Sequence, residues 1–314
     1  MKKRVLTLVF FAALCFLLLS CGSIERLAMN AVSDMLTGEG SSSVFTGDSD
    51  PQLVADAIPF AIKMYESLLD ANPNHQGLMF TTGMMFIMYA NAFVQGPAEM
   101  LPVEDWKKRD HEMTRAKNLY LRGYAILNNA LEARYPGFYQ VSNENLPGML
   151  NRFKKDDVGL LYWIVAGGMA AYSVDIFDFY LSSNIPKWTA MIKKAYELDP
   201  DFDVAALDEF LIIFYASLPE LLGGDKERAK FHFLQAQEKT NGQSSGAYVS
   251  YAQAVFVPAQ DYESYKDYLE KALEIDVDAN PSTRLVNIIN QRKAQWLLDN
   301  AYNYFSFLPI PDGY

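Results

Sequence analysis

The residue types best equipped for chemistry are few and scattered. Histidines stand at 75, 111 and 232, and cysteines at 15 and 21. None of the three histidines has a second histidine, a cysteine or a clustered acid at metal-ligand spacing, so no metal site is expected. Each histidine reads as a solvated or capping residue. There is no glycine-rich phosphate cradle of the P-loop or dinucleotide type, and the calcium-loop pattern is not met. Asp156-Asp157, and Asp199 with Asp201 and Asp203, fall at expected helix starts and bends, where acids complement the helix dipole. No serine nucleophile elbow and no free thiol nucleophile are expected. The chain is read as non-enzymatic, without cofactors.

Residue types suited to binding are concentrated instead. Residues 77–94, GLMFTTGMMFIMYANAFV, carry no charge and four methionines, Met79, Met84, Met85 and Met88, with Phe80 and Phe86 beside them. Residues 158–174 carry Tyr162, Trp163 and Met169. Methionine adapts its shape and aromatic rings supply large contact area. Two readings stand side by side: these residues are ordinary core, or Met84, Met85, Phe86, Met88, Tyr162, Trp163 and Met169 line an apolar channel or ligand site.

At the amino end Lys2, Lys3 and Arg4 precede an apolar run from Val5 to Leu19. That run has the length of a signal-peptide core and is too short for a comfortable membrane span. Leu18-Leu19-Ser20-Cys21-Gly22 follows and resembles the bacterial lipobox. The resemblance implies diacylglycerol attachment at the Cys21 thiol, cleavage before Cys21 and acylation of the new terminus. An ordinary secretory signal and an uncleaved anchor are the alternatives. Residues 1–20 thus read as a cleaved lipoprotein signal, 21–51 as a lipidated short helix and Gly/Ser tether, and 52–314 as a helical-repeat domain. Cleavage removes Cys15 and leaves Cys21 without a disulfide partner, so the fold must hold by packing. Loss of the three leading cations also takes the formal charge from −11 to −14. Phosphate backbones and anionic headgroups repel such a chain, so nucleic-acid binding is not expected and membrane contact falls to the lipid.

From residue 52 onward the apolar spacing is helical and no run alternates with period two, so an all-α fold is expected. Asp70-Ala-Asn-Pro73, Asp199-Pro200 and Asn280-Pro281 read as helix stops. A small–large–small spacing of four and three residues marks the second helix of a tetratricopeptide unit. It occurs at Ala61/Tyr65/Leu68, Ala116/Tyr120/Gly123, Trp188/Ile192/Ala195, Ala229/Phe233/Ala236 and Tyr265/Leu269/Ala272. The last three start 41 and 36 residues apart, near the usual period of about 34. Residues 77–94 and 158–174 take first-helix positions, where contact on both sides makes a helix apolar nearly all round. A membrane span is the other reading of such a run, although it needs about 20 apolar residues. Fold class is therefore an α-solenoid-like array of tetratricopeptide-like helix pairs in one compact helical domain, capped by residues 282–305.

Several segments together resemble one family. VFTGDSDPQLVADAIPFAIKMYESLLDANPNHQGL (44–78), YANAFVQGPAEML (89–101), KKAYELDPDFDVAALDEFLI (193–212) and LPELLGGDKERAKFHFLQA (218–236) are similar, in that order, to segments of the T-component lipoproteins of TRAP transporters. The resemblance implies a periplasm-facing, tetratricopeptide-repeat-like lipoprotein that forms a homotrimer. It also implies a partner, the periplasmic solute-binding P-component, and an apolar channel for a hydrophobic or carboxylate-bearing ligand. The expected function is an accessory role in TRAP-type transport at the bacterial envelope, in the inner or the outer membrane. An envelope scaffold that binds proteins only is the alternative.

Overall fold

Asp50 opens the first long helix. In the computed structural model, which describes residues 43–309, its side chain accepts from the N–H groups of Gln52 and Leu53 at 3.0 and 3.2 Å. Pro51 sits at the first helical position, where its missing N–H costs nothing. Helix α1 then runs Pro51–Ala71. It is followed by α2 (Gln76–Tyr89), α3 (Trp106–Arg134), α4 (Val158–Val174), α5 (Phe179–Leu198), α6 (Ala206–Ser217), α7 (Lys226–Thr240), α8 (Ser245–Tyr251), α9 (Tyr262–Leu273) and α10 (Arg284–Asp299). No strand occurs among the described residues, and the chain is all-α. Asp178, Asp225, Ser244 and Asp261 repeat the capping role at α5, α7, α8 and α9. Each such cap contributes about 1 kcal/mol.

The helix stops are where proline predicts them, with one exception. α1 ends before Pro73 and α5 before Pro200. Asn280-Pro281 does not stop a helix: α9 has already ended at Leu273, and Asn280 caps a 3-10 turn, Pro281–Thr283, that leads into α10. Proline is compatible with the first position of a turn, and the preceding asparagine supplies the acceptor.

Consecutive helices pack against one another from α1 through α5 and again from α6 through α10. Four of the five small–large–small triplets lie on buried faces, with Tyr120, Trp188 and Tyr265 fully enclosed. Burial of each such large side chain contributes roughly 1.5–3 kcal/mol. Close approach depends on glycine. A Cβ on Gly123 of α3 would stand 2.6 Å from the carbonyl oxygen of Gly83 in α2, and one on Gly168 of α4 would stand 2.4 Å from the Trp188 ring of α5. Gln76–Glu99 and Lys155–Val174 are long and apolar enough to cross a membrane by length and composition. Half of each stretch is buried against neighbouring helices, α2 against α1, α3 and α4, and α4 against α2, α3 and α5.

Two departures from regular helix carry meaning. α2 continues through a π-helical segment, Ala90–Gln95, and α8 through another, Ala252–Phe256. Each runs into a proline, Pro97 or Pro258, which cannot supply the N–H that a continuing α-helix needs. The first π segment turns Gln95 and Asn91 onto the buried Tyr120 hydroxyl, at 2.6 and 3.3 Å.

The array also returns to its start. Leu285 and Ile289 of α10 pack with Val54, Ile58 and Ile62 of α1 and Phe86 of α2. Lys293 of α10 pairs with Glu99 at 3.0 Å, and the Arg284 guanidinium donates to the Gly47 carbonyl at 2.9 Å. The segment read as tether therefore differs at its carboxyl end: Ser43–Thr46 is helical and lies against α10. The signal sequence, Cys21 and the short helix at 24–36 lie outside the described residues.

Candidate functional site

Half-buried aromatic residues of α2, α4, α6 and the α5–α6 connection meet around Tyr162. Gly159, one turn earlier on α4, opens the space: a Cβ there would stand 3.4 Å from the Phe80 ring of α2 and 3.5 Å from the Phe202 ring. The Tyr162 ring lies 5.0 Å from Trp163, 5.6 Å from Phe202 and 5.9 Å from Phe210 of α6, centroid to centroid. Edge-on and tilted packing of this kind adds about 0.5–1.5 kcal/mol per pair beyond area burial. α2, α4, α6 and the α5–α6 connection thus share one aromatic wall.

A carboxyl group stands at its end. Glu209 precedes Phe210 on α6, and the Ser244 hydroxyl donates to its Oε1 at 2.5 Å. A Cβ on Gly246 would lie 3.3 Å from Glu209 Oε2 and 3.0 Å from the Asn290 amide nitrogen of α10. Gly246 therefore lets α6, α8 and α10 converge on this carboxyl. Burial pushes the Glu209 pKa upward, and Asp203 and Asp208 push the same way, against the Ser244 hydrogen bond. The Tyr162 hydroxyl is also pushed up, first by burial and then by the Glu209 charge. The wall and the carboxyl therefore belong to one electrostatic environment. Apolar surface ending in a buried acid is suited to contact with an amphipathic molecule.

The residues expected from sequence to line a site are only partly brought together. Tyr162 and Trp163 are in the wall, and Met169 packs half-buried on the main core. Met84 is half-buried on α2, and Met88 is exposed. Met85 and Phe86 turn toward the α1–α10 contact, where the Arg122 guanidinium lies 4.7 Å from the Phe86 ring centroid. Phe202, Phe210 and Glu209 escaped the sequence reading. The small residue at Gly159 is the signal that marks their meeting point.

The histidines divide. His75 caps α2, accepting from the Leu78 N–H at 3.1 Å. His232, expected to be solvated or capping, is instead buried, with its Nδ1 2.7 Å from Asp208. Asp208 is fully enclosed and also accepts from Lys239 at 2.7 Å, while the Tyr215 ring stacks on the imidazole at 5.6 Å. A buried carboxylate needs such partners, and they lie on α7 where no local pattern reveals them.

One serine motif also escaped notice: Gly242-Gln243-Ser244-Ser245-Gly246 has G-x-S-x-G spacing. It joins α7 to α8, not a strand to a helix. Ser244 caps α8 by accepting from the Ala247 N–H at 3.2 Å, and its proton goes to a carboxylate, not to an imidazole. This is not the geometry of a nucleophile elbow. No group of three metal-ligating side chains occurs among the described residues.

The chain is 33% identical over 312 residues to an uncharacterized protein of Treponema pallidum (strain Nichols), covering 94% of this chain and 96% of that one. The profile of the TRAP transporter T-component family matches residues 47–305, from just before α1 to the residues after α10. That family is a transporter accessory component of the bacterial envelope and not an enzyme family. The chain belongs to the TRAP transporter T-component family.

Proposed function

We propose that the protein is the lipid-anchored, periplasm-facing T-component that docks the solute-binding P-component of a TRAP transporter. The observation that carries this reading is the family match across residues 47–305, joined to an aromatic wall that ends in Glu209. In this reading the helices form tetratricopeptide-like pairs, three copies assemble, and Cys21 holds the assembly at the membrane through its acyl chains. Phe80, Tyr162, Trp163, Phe202 and Phe210 contact the apolar body of a ligand. Met84, Met85, Phe86, Met88 and Met169 support that path from α2 and α4. Glu209 would repel a free ligand carboxylate at neutral pH, so a carboxylate-bearing ligand is accepted here with one shared proton.

Cross-linking in cells tests the docking. A specific adduct with the P-component, abolished when the P-component gene is deleted, is the expected result. Recovery of envelope assembly proteins without a P-component favours the scaffold reading. Light scattering on protein starting at Ser43 reports whether three copies assemble. Palmitate labelling that Cys21→Ser removes reports the anchor.

A further inference from the structure

A second cavity lies away from the aromatic wall. It is a cleft of about 320 Å³ between α3 and α5, roofed by the turn after α3. Gly168 of α4 packs beneath its floor residue Trp188. Tyr162 lies six residues earlier on α4, about 120° away around that helix. The two sites are therefore separated by α4 and share no residue.

The walls of the cleft are aromatic and its one formal charge is a lysine. Tyr124, Trp188 and Phe138 form the inner surface, and Tyr139 and Tyr180, 49% and 65% exposed, stand at the mouth. The Lys187 ammonium lies 4.1 Å from the Phe138 ring centroid and donates to the Phe138 carbonyl at 2.9 Å. An ammonium has three donors, and this carbonyl is the one acceptor it has among the described residues. It has no ion-pair partner among those residues, in a chain with 38 acidic side chains. The nearby Glu132 acts on Lys187 through its charge but forms no ion pair with it, and its two oxygens accept from the Gly137 and Tyr139 N–H groups at 2.6 and 2.9 Å. Burial lowers the Lys187 pKa and the Glu132 charge raises it.

We propose that this cleft binds a small carboxylate with an aromatic or branched apolar body, its carboxylate on Lys187 and its body against Tyr124 and Trp188. The volume is at the low end for ligand sites, which selects a compact molecule over a long acyl chain. A bound carboxylate would take the free donors of Lys187 and offset its desolvation.

The test is calorimetry on the protein from Ser43 onward with benzoate, phenylacetate, 3-phenylpropionate and decanoate, and with 3-phenylpropionamide as the uncharged control. At least one compact aromatic carboxylate should bind saturably, more tightly than its amide and than decanoate. Lys187→Met should weaken it at least tenfold while leaving amide binding unchanged. Ala125→Phe, which fills the cleft from the α3 wall, should abolish it in protein that melts normally. The proposal is overturned if no compact carboxylate binds, if Lys187→Met binds it equally well, or if a soaked crystal shows it on the Tyr162 wall. Docking of the P-component does not depend on this cleft, so either idea survives failure of the other.

Discussion

Replacing Gly123 and Gly148 by alanine separates two effects that usually travel together. In a helix interior, glycine to alanine gains about 1 kcal/mol from backbone propensity. At Gly148, in the short helix Leu146–Leu150, nothing lies within 4 Å of the new Cβ, so that gain should appear undiminished. At Gly123 the Cβ would stand 2.6 Å from the Gly83 carbonyl oxygen, 2.9 Å from Ile87 Cγ1 and 3.1 Å from Phe86 Cβ. A backbone oxygen cannot rotate aside, so α2 and α3 must separate by a distance on the order of 1 Å, against contact distances near 3.5 Å. Overpacking of this kind costs about 3 kcal/mol at its upper end, which leaves a net loss of about 2 kcal/mol. For a domain of this size that is a fall in Tm of about 4–8 °C, against a rise of about 2–4 °C for Gly148→Ala. Differential scanning calorimetry on the protein from Ser43 reads both. Should Gly123→Ala melt at or above the wild-type temperature, the claim that backbone contact joins α2 to α3 is wrong.

Other expectations follow from the buried polar groups and the closure. Asp208→Asn leaves Lys239 and His232 facing a neutral amide and should cost roughly 3 kcal/mol, read as a lower urea midpoint at unchanged slope. Glu209 has a raised pKa in the fold, so its contribution is full below its ordinary value of 4.5 and is lost as pH rises through the folded value. Glu209→Gln should therefore melt higher than wild type at pH 7, with the gap closing in acid; a gap that widens in acid contradicts the desolvated carboxyl. Ser244→Ala removes the hydrogen bond that lowers this pKa, so the Glu209 carboxyl, followed by isotope-edited infrared titration, should move further up. Ending the chain before Arg284 removes the partner of α1 and Glu99, and should broaden the melt of the whole domain, not only that of α8 and α9.

Local features of the fold were legible in the sequence for a physical reason: they depend on near neighbours. The cap at Asp225 and the stops before Pro73 and Pro200 rest on residues a few positions apart. The triplets led by Ala116, Trp188, Ala229 and Tyr265 are readable because one turn of helix puts them on one face. The site was less legible. Apolar residues on α2 point in every direction, so composition alone could not separate Phe86, turned to α1, from Phe80, turned to α4. Glu209 sits among ordinary-looking acids, and its partner Ser244 lies 35 positions away. Lys187 gave no signal at all, since what distinguishes it is the absence of a direct ion pair among the described residues, which only the fold can show.

Contact between α10 and α1 makes the chain a loop of helices rather than a ladder. A ladder tolerates an added or missing rung, because each rung answers only to its neighbours. In a loop, inserting one more helix pair would pull Lys293 from Glu99 and Leu285 from Val54 at the far side of the molecule. The number of helices is then set by geometry, and diversification among relatives should fall in connections and exposed side chains while the helix count stays constant.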